Sequence, residues 1–361
     1  MVQRDKALDL VRAAAAFCVV VNHAAQMIYP LNLEGLYALP LRSKGFALAA
    51  FTFGRIGVPL FLLLTGYLLL PRQYDEERMR HFYRHNFFPL LGVWEIWIFV
   101  YQLFLCLVNR SAFDGVQYIK RALFLAHAGL PHTWYMPMIL GMYLFLPFVS
   151  IALHRIPEKM LTLFLPICFF YIFMMPAANL IQSAFHIPDY IRLTNQLDLS
   201  FSGSTYGFYL VLGYCLAKKR ELIKRLRGNS TAVLAVAVLA LSLYLGTVYA
   251  ELKLYAMGFE FNVWYSFVTM PLLGVCVFIL LSWIHLPAKL SCIAEHLASC
   301  AFGIFLVHEL LLMPAVRTLG SVPHPYLETI VLSVLCYGAS FILVKNLSRI
   351  PVFAFLFLKK S

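Results

Sequence analysis

The stretch "DLVRAAAAFCVVVNHAAQ", residues 9–26, is an apolar run interrupted by a permanent cation, Arg12, near one end and a titratable imidazole, His23, near the other. These two residues stand eleven positions apart. On an α-helix eleven residues turn through about 1100°, about 20° past three full turns, and rise about 16 Å. Arg12 and His23 therefore share a face. A charge turned toward lipid is costly, so this face is expected to look into the protein. Asp9 lies three residues before Arg12, on the same side of the helix, and can pair with it. The bland reading makes Asp9 and Arg12 an interfacial ion pair and His23 a hydrogen-bonded packing residue. The alternative is a polar stripe lining a passage.

The whole chain supports a membrane setting for this helix. Of its 361 residues 61% are apolar and only 13% charged, and the mean hydropathy is +0.78, far outside the range of a soluble domain. Apolar stretches near the roughly 20 residues needed to cross a hydrocarbon core recur along the full length. The expected architecture is all-α: one integral membrane domain over residues 1–361, with ten spans near 8–29, 48–70, 86–108, 132–153, 160–177, 203–217, 231–250, 262–284, 297–317 and 325–344. Between 109 and 131, Tyr118, Leu123 and Leu125 suggest a short amphipathic helix resting on the membrane surface. No appended soluble domain is expected. The first span is read as retained, because "NHAAQ" lacks a small residue at the −3 position that signal-peptide cleavage usually requires.

Orientation follows from the loop cations. With ten spans, one set of loops and tails carries 19 Lys and Arg and the alternate set 8. Cytoplasmic loops are the enriched ones, so both termini are expected in the cytoplasm. The net charge of +12 is then chiefly a topology signal with some attraction to anionic lipid, and it does not point to nucleic acid. The eight Cys include no C-x-x-C pair and fall mainly inside spans, so they read as small packing residues without disulfides. No nucleotide-binding glycine loop and no H-E-x-x-H metal motif occurs, and no metal is expected.

With the N-terminus cytoplasmic, Arg12 lies in the inner part of the bilayer and His23 beyond its middle. Other spans bring ionisable residues to the His23 level. The second, "FTFGRIGVPLFLLLTGYLLL", carries Arg55 within its first two turns, either snorkelling to the outer interface or turned inward. Pro59, Thr65 and Gly66 suggest that this helix is bent and packed closely on a neighbour. The fourth opens with "HTWYMP", whose His132, Trp134 and Tyr135 are either an interfacial aromatic belt or part of the site. The ninth, "CAFGIFLVHELLLMPAVR", holds His308 and Glu309 about 18 Å above its start. Neighbouring helix residues point about 100° apart, so at most one of these two is expected to aim squarely at a given cavity. A carboxylate among leucines inside a membrane is a functional candidate by default. One polar shaft with a reactive outer end accounts for all these placements.

Five segments in order carry a family likeness: "LDLVRAAAAFCVVVNH" with its Arg-x10-His, "GRIGVPLFLLLTGYLL", "HTWYMPMILGMYLFLPF", "FYLVLGYCL" and "FGIFLVHELL". The chain resembles the integral-membrane acyltransferase family 3, most closely its compact, membrane-only O-acetyltransferase type. It departs from the usual pattern at Thr65, Phe305 and Glu309. The resemblance implies transfer of an acyl group, most often acetyl, from acyl-CoA as co-substrate to a hydroxyl of a surface glycan or lipid-linked sugar, in the bacterial inner membrane. A CoA thioester has a polyanionic head and a long thin arm, so the head can stay at a basic inner mouth while the arm threads upward. Arg12, Arg72, Arg80 and Arg84 are the expected donor-binding residues, since the planar guanidinium can give a phosphate two hydrogen bonds at once.

In this reading Arg12, held by Asp9, orients the donor, and His23 meets the thioester. His23 then acts either as base toward the acceptor hydroxyl or as a nucleophile that carries the acyl group. His308 is a second base or acceptor ligand. Arg55 faces a developing oxyanion or the acceptor's charge, Trp134 and Tyr135 stack on a sugar, and Glu309 stands on the acceptor side. The rival class is a transporter for a lipid or small molecule, because intramembrane ions also mark translocation paths.

Overall fold

Helices rich in Leu, Val, Ala and Phe satisfy their own backbone hydrogen bonds, the condition for crossing lipid. In the computed structural model, which describes residues 6–185, 193–194, 196–200, 203–319 and 325–358, they form an all-α bundle without strands among the described residues. The main helices are α1 (Lys6–Ile28), α2 (Leu41–Arg55), α3 (Gly57–Leu69), α4 (Glu76–Asn109), α5 (Pro131–Arg155) and α6 (Glu158–Ala184). They continue as α7 (Ser204–Lys218), α8 (Ser230–Ala256), α9 (Met270–Trp283), α10 (Ala288–Leu319) and α11 (Pro325–Leu347). Eight of the ten expected spans, with α2 and α3 counted together, are helices long and apolar enough to cross a membrane. The other two, α7 and α9, are helical but only 15 and 14 residues long. Arg4, Arg192, Lys359 and Lys360 of the loop-charge count lie outside the described residues.

The eighth span was expected from residue 262, but its helix begins at Met270. Pro271 is tolerated only in the first turn of a helix, which favours a start there. Upstream, the buried Glu251 carboxylate of α8 accepts the Val263 N–H at 2.8 Å, holding residues 257–269 as a loop folded back into the bundle. The surface helix expected between 109 and 131 is present at Gly115–Ala122, started by the Asp114 side chain; Leu123 and Leu125 lie past its end, exposed.

The bend expected near Pro59 is a break at Ile56, between α2 and α3. Proline lacks the N–H that would reach back to the Arg55 carbonyl, so the ladder is interrupted where Arg55 sits. Wider π-turns at Tyr83–Phe87 and Phe170–Met174 likewise precede Pro89 and Pro176.

α1 is the central strut, packed against α2, α3, α9, α10 and α11. Burial divides the bundle: 72% of the apolar window in α1 and 78% in α2–α3 is inside, against 17% in α8. The outward stripe of α8, Leu234, Val238, Leu241 and Leu245, is exposed and wholly apolar, as a lipid-facing surface requires. α3 and α7 approach each other closely. A side chain on Gly66 would run into the Leu210 backbone and one on Gly213 into the Leu63 carbonyl, so two glycines facing opposite backbones set this approach.

Candidate active site

Four ionisable side chains from three helices meet in the interior. α1 supplies His23, the first turn of α5 supplies His132, and α10 supplies His308 and Glu309. One carboxylate oxygen, Glu309 Oε1, lies 3.1 Å from His23 Nδ1 and 3.2 Å from His132 Nδ1. The His308 ring is 5.2 Å from that of His23 and 4.9 Å from that of His132, centre to centre. His308 and Glu309 are fully buried, and His23 is 7% exposed. Two of the outer nitrogens are held: His308 Nδ1 is 2.7 Å from the Phe305 carbonyl, and His132 Nε2 is 3.1 Å from the Tyr101 hydroxyl, which in turn donates to Leu306 O at 2.8 Å.

Beside this cluster Arg55 is buried in an aromatic cage. Its guanidinium lies 4.5 Å from the Phe51 ring centre, 4.4 Å from Trp264 and 5.2 Å from Tyr265, and Nη1 donates to the Tyr265 hydroxyl at 3.0 Å. A cation over desolvated rings is held by the quadrupole of the π faces. Trp264 and Tyr265 belong to the 257–269 loop, so Glu251, bound to Thr52 Oγ1 at 2.5 Å as well as to Val263 N, ties the cage together.

Two cavities flank Tyr135 and Phe305. The larger, about 350 Å³, is lined by Arg12, Arg72, Tyr143, Met136 and the apolar face of α3. The smaller, about 20 Å³ and so sized for roughly one water, is lined by Asn22, His23, Arg55, His132, Trp134 and Tyr265. Tyr135 and Phe305, with ring centres 5.3 Å apart, border both. The shaft expected from the α1 stripe is thus divided by an aromatic wall. Arg12 faces one compartment and His23 the other, on the shared side of α1.

Asp9 is buried and 3.5 Å from Arg12. Arg72 joins Arg12 at the larger cavity, whereas Arg80 is exposed and paired with Glu76 at 3.1 Å and Arg84 is exposed; neither lines the cavity. Trp134 packs among Tyr206, Trp264 and Tyr265, at 5.4–5.6 Å between ring centres. Glu309, expected on the acceptor side, lies behind the histidines and lines neither cavity. Both His308 and its neighbour reach the cluster, because His308 turns toward His132 while Glu309 reaches between His23 and His132. His132 was legible only as one residue of an aromatic opening, and nothing local marks Tyr101, Glu251, Trp264 or Tyr265 as site residues.

No curated protein and no solved structure matched the chain. A family model described as an acyltransferase domain matches residues 5–345, a range that takes in every side chain of the cluster, the Arg55 cage and the Arg12 cavity. The chain belongs to the acyltransferase family 3 of integral-membrane proteins.

Proposed function

We propose that the protein is a membrane O-acyltransferase, most simply an O-acetyltransferase, moving an acyl group from acetyl-CoA on the cytoplasmic side to a hydroxyl of a glycan or lipid-linked sugar. The observation that carries this reading is a basic, apolar-walled cavity at Arg12 and Arg72, which stops at Tyr135 and Phe305 with a His–Glu pair immediately beyond. The two guanidiniums suit the phosphates of a CoA, and the apolar wall suits its thin arm.

His23 directs Nδ1 to Glu309, which leaves Nε2 as the nitrogen available to a substrate. Nε2 takes the proton of the acceptor hydroxyl as its oxygen bonds to the thioester carbonyl carbon, and Glu309 stabilises the imidazolium that forms. Collapse of the tetrahedral intermediate breaks the carbon–sulfur bond. The departing thiolate then takes the proton from the imidazolium. Arg55, on the same small cavity as His23, supplies positive charge to the intermediate's oxygen. In a two-step variant Nε2 itself attacks the thioester and carries the acyl group to the acceptor.

His23→Ala and Arg12→Ala, each checked for insertion and expression, are expected to differ: the first abolishes transfer of labelled acetyl from acetyl-CoA to glycolipid, and the second mainly raises the KM for the donor. Full activity in a folded His23→Ala protein removes the role given to that residue. Labelled protein accumulating without acceptor selects the two-step variant, and its absence selects direct transfer.

A further inference from the structure

A helix end frees its last carbonyl groups, and where the end is exposed water normally takes them up. The end of α3 is different. Five consecutive carbonyl oxygens, from Leu68 to Arg72, each accept a hydrogen bond from the protein. Two are satisfied within the turn itself: Arg72 Nε donates to Leu68 O at 3.0 Å, and the Arg72 N–H donates to Leu69 O at 3.2 Å. The other three are taken by α5. Ser150 Oγ lies 2.9 Å from Leu70 O and 2.7 Å from Arg72 O, its single proton shared between them, and His154 Nε2 lies 3.2 Å from Pro71 O. A carbonyl oxygen only accepts, so His154 is the donor there.

The two α5 residues stand one helical turn apart, on the same face. Ser150 is fully buried, where water does not readily replace a lost hydroxyl. His154 is exposed, but its ring is steadied from two sides: Nδ1 lies 2.8 Å from the Ser150 carbonyl, and the Tyr214 ring of α7 stands edge-on at 6.0 Å. Neither Ser150 nor His154 lines the larger cavity, whereas Arg72 does. With Nε spent on α3, the two terminal nitrogens of Arg72 are the ones left for an anion. A guanidinium that grips phosphate gains from a fixed backbone, because the ordering of a long side chain and its loop is subtracted from affinity.

We propose that Ser150 and His154 are positioning residues for the acyl donor: by fastening the Leu70–Arg72 turn to α5, they hold the Arg72 guanidinium at the cavity that receives the coenzyme's phosphates. This role rests on the reading of that cavity as the donor site. It couples donor affinity to the seating of α5 on the end of α3, through two side chains that touch the turn and not the substrate.

The test is the steady-state kinetics of transfer from acetyl-CoA by the full chain. Ser150→Ala is expected to raise the KM for acetyl-CoA about tenfold and to change kcat by less than about twofold, because the displaced group binds the donor and not the reacting atoms. The effect is expected to vanish in an Arg72→Ala background, where no guanidinium remains to be positioned; a general loss of packing acts in both backgrounds alike. Because the buried Ser150→Ala can misfold, the exposed His154 supplies a second pair of variants. His154→Leu is expected to raise the KM about threefold, and His154→Gln, whose amide NH2 can donate to Pro71 O in place of Nε2, to stay within about twofold of wild type. A KM unchanged in folded Ser150→Ala and His154→Leu overturns the proposal. So does a loss that persists undiminished in the Arg72→Ala background, or one that falls on kcat. A wild-type protein that transfers from no acyl-CoA overturns the donor reading and this role with it, whereas an active wild type with unmoved KM values in the variants removes this role alone.

Discussion

Glu309 is the residue on which the rest of the cluster turns. It is fully buried and touches two imidazoles through one oxygen, so its charge is felt undiluted by water. Glu309→Gln conserves shape and still offers a carbonyl oxygen to His23 Nδ1–H, but it removes the charge that stabilises an imidazolium. The expected outcome is a fall in kcat of about 10²-fold or more, with the KM for acyl-CoA changed by less than about threefold, since the donor cavity does not include it. Steady-state kinetics on a folded variant decide this, and a KM effect without a kcat effect refutes it. That Arg12 and His23 share a face came from helical periodicity, which is set by local geometry and therefore visible in one segment; their roles came from the family resemblance. Glu309 was visible as a misplaced carboxylate, but its partners were not. The contact between His132 and Glu309 joins residues 177 positions apart, and only the packing of α5 on α10 creates it.

At the scale of elements, the parts of the fold that were legible are those written in proline and in apolar runs. The break at Ile56 follows from Pro59, and the helical stretches follow from composition. The 257–269 loop was misread as helix because its Val263, Trp264, Tyr265 and Phe267 look like a span; what holds it open is a buried acid on another helix. Glu251→Ala leaves the Thr52 hydroxyl and the Val263 N–H without their acceptor inside the protein. The expected cost is about 2–4 kcal/mol, from two buried donors left unsatisfied. The Trp264–Arg55 contact of 4.4 Å is expected to loosen with it. Thermal unfolding in detergent and the quenching of Trp fluorescence by acrylamide report the two effects separately. Unchanged quenching means that the loop is held by its aromatic contacts and not by Glu251. Glu251→Gln, whose single carbonyl oxygen can still accept the Val263 N–H while its amide NH2 donates to the Thr52 hydroxyl oxygen, is expected to lose less than half as much stability.

At the scale of the whole molecule, the two cavities at Arg12 and at His23 share Tyr135 and Phe305 in their linings. An acyl group that enters beside Arg12 has to pass these rings to reach His23, so the wall sets both the seal against water and the length of chain that fits beyond it. Phe305 is 7% exposed and lies edge-on to His132 at 5.2 Å, which places it against the histidine cluster. Phe305→Ala joins the cavities. Two consequences are expected together. The kcat/KM for butyryl-CoA relative to acetyl-CoA rises by about tenfold or more, because the extra methylenes gain space that the phenyl group filled. Hydrolysis of acetyl-CoA without acceptor also rises, because water reaches the thioester through the joined cavities. Phe305→Leu, which fills most of the gap, is expected to lie between the two. An Ala variant that is folded by gel filtration, keeps the wild-type preference for acetyl and shows no added hydrolysis would mean that the rings are packing only and that the acyl group reaches His23 by another route.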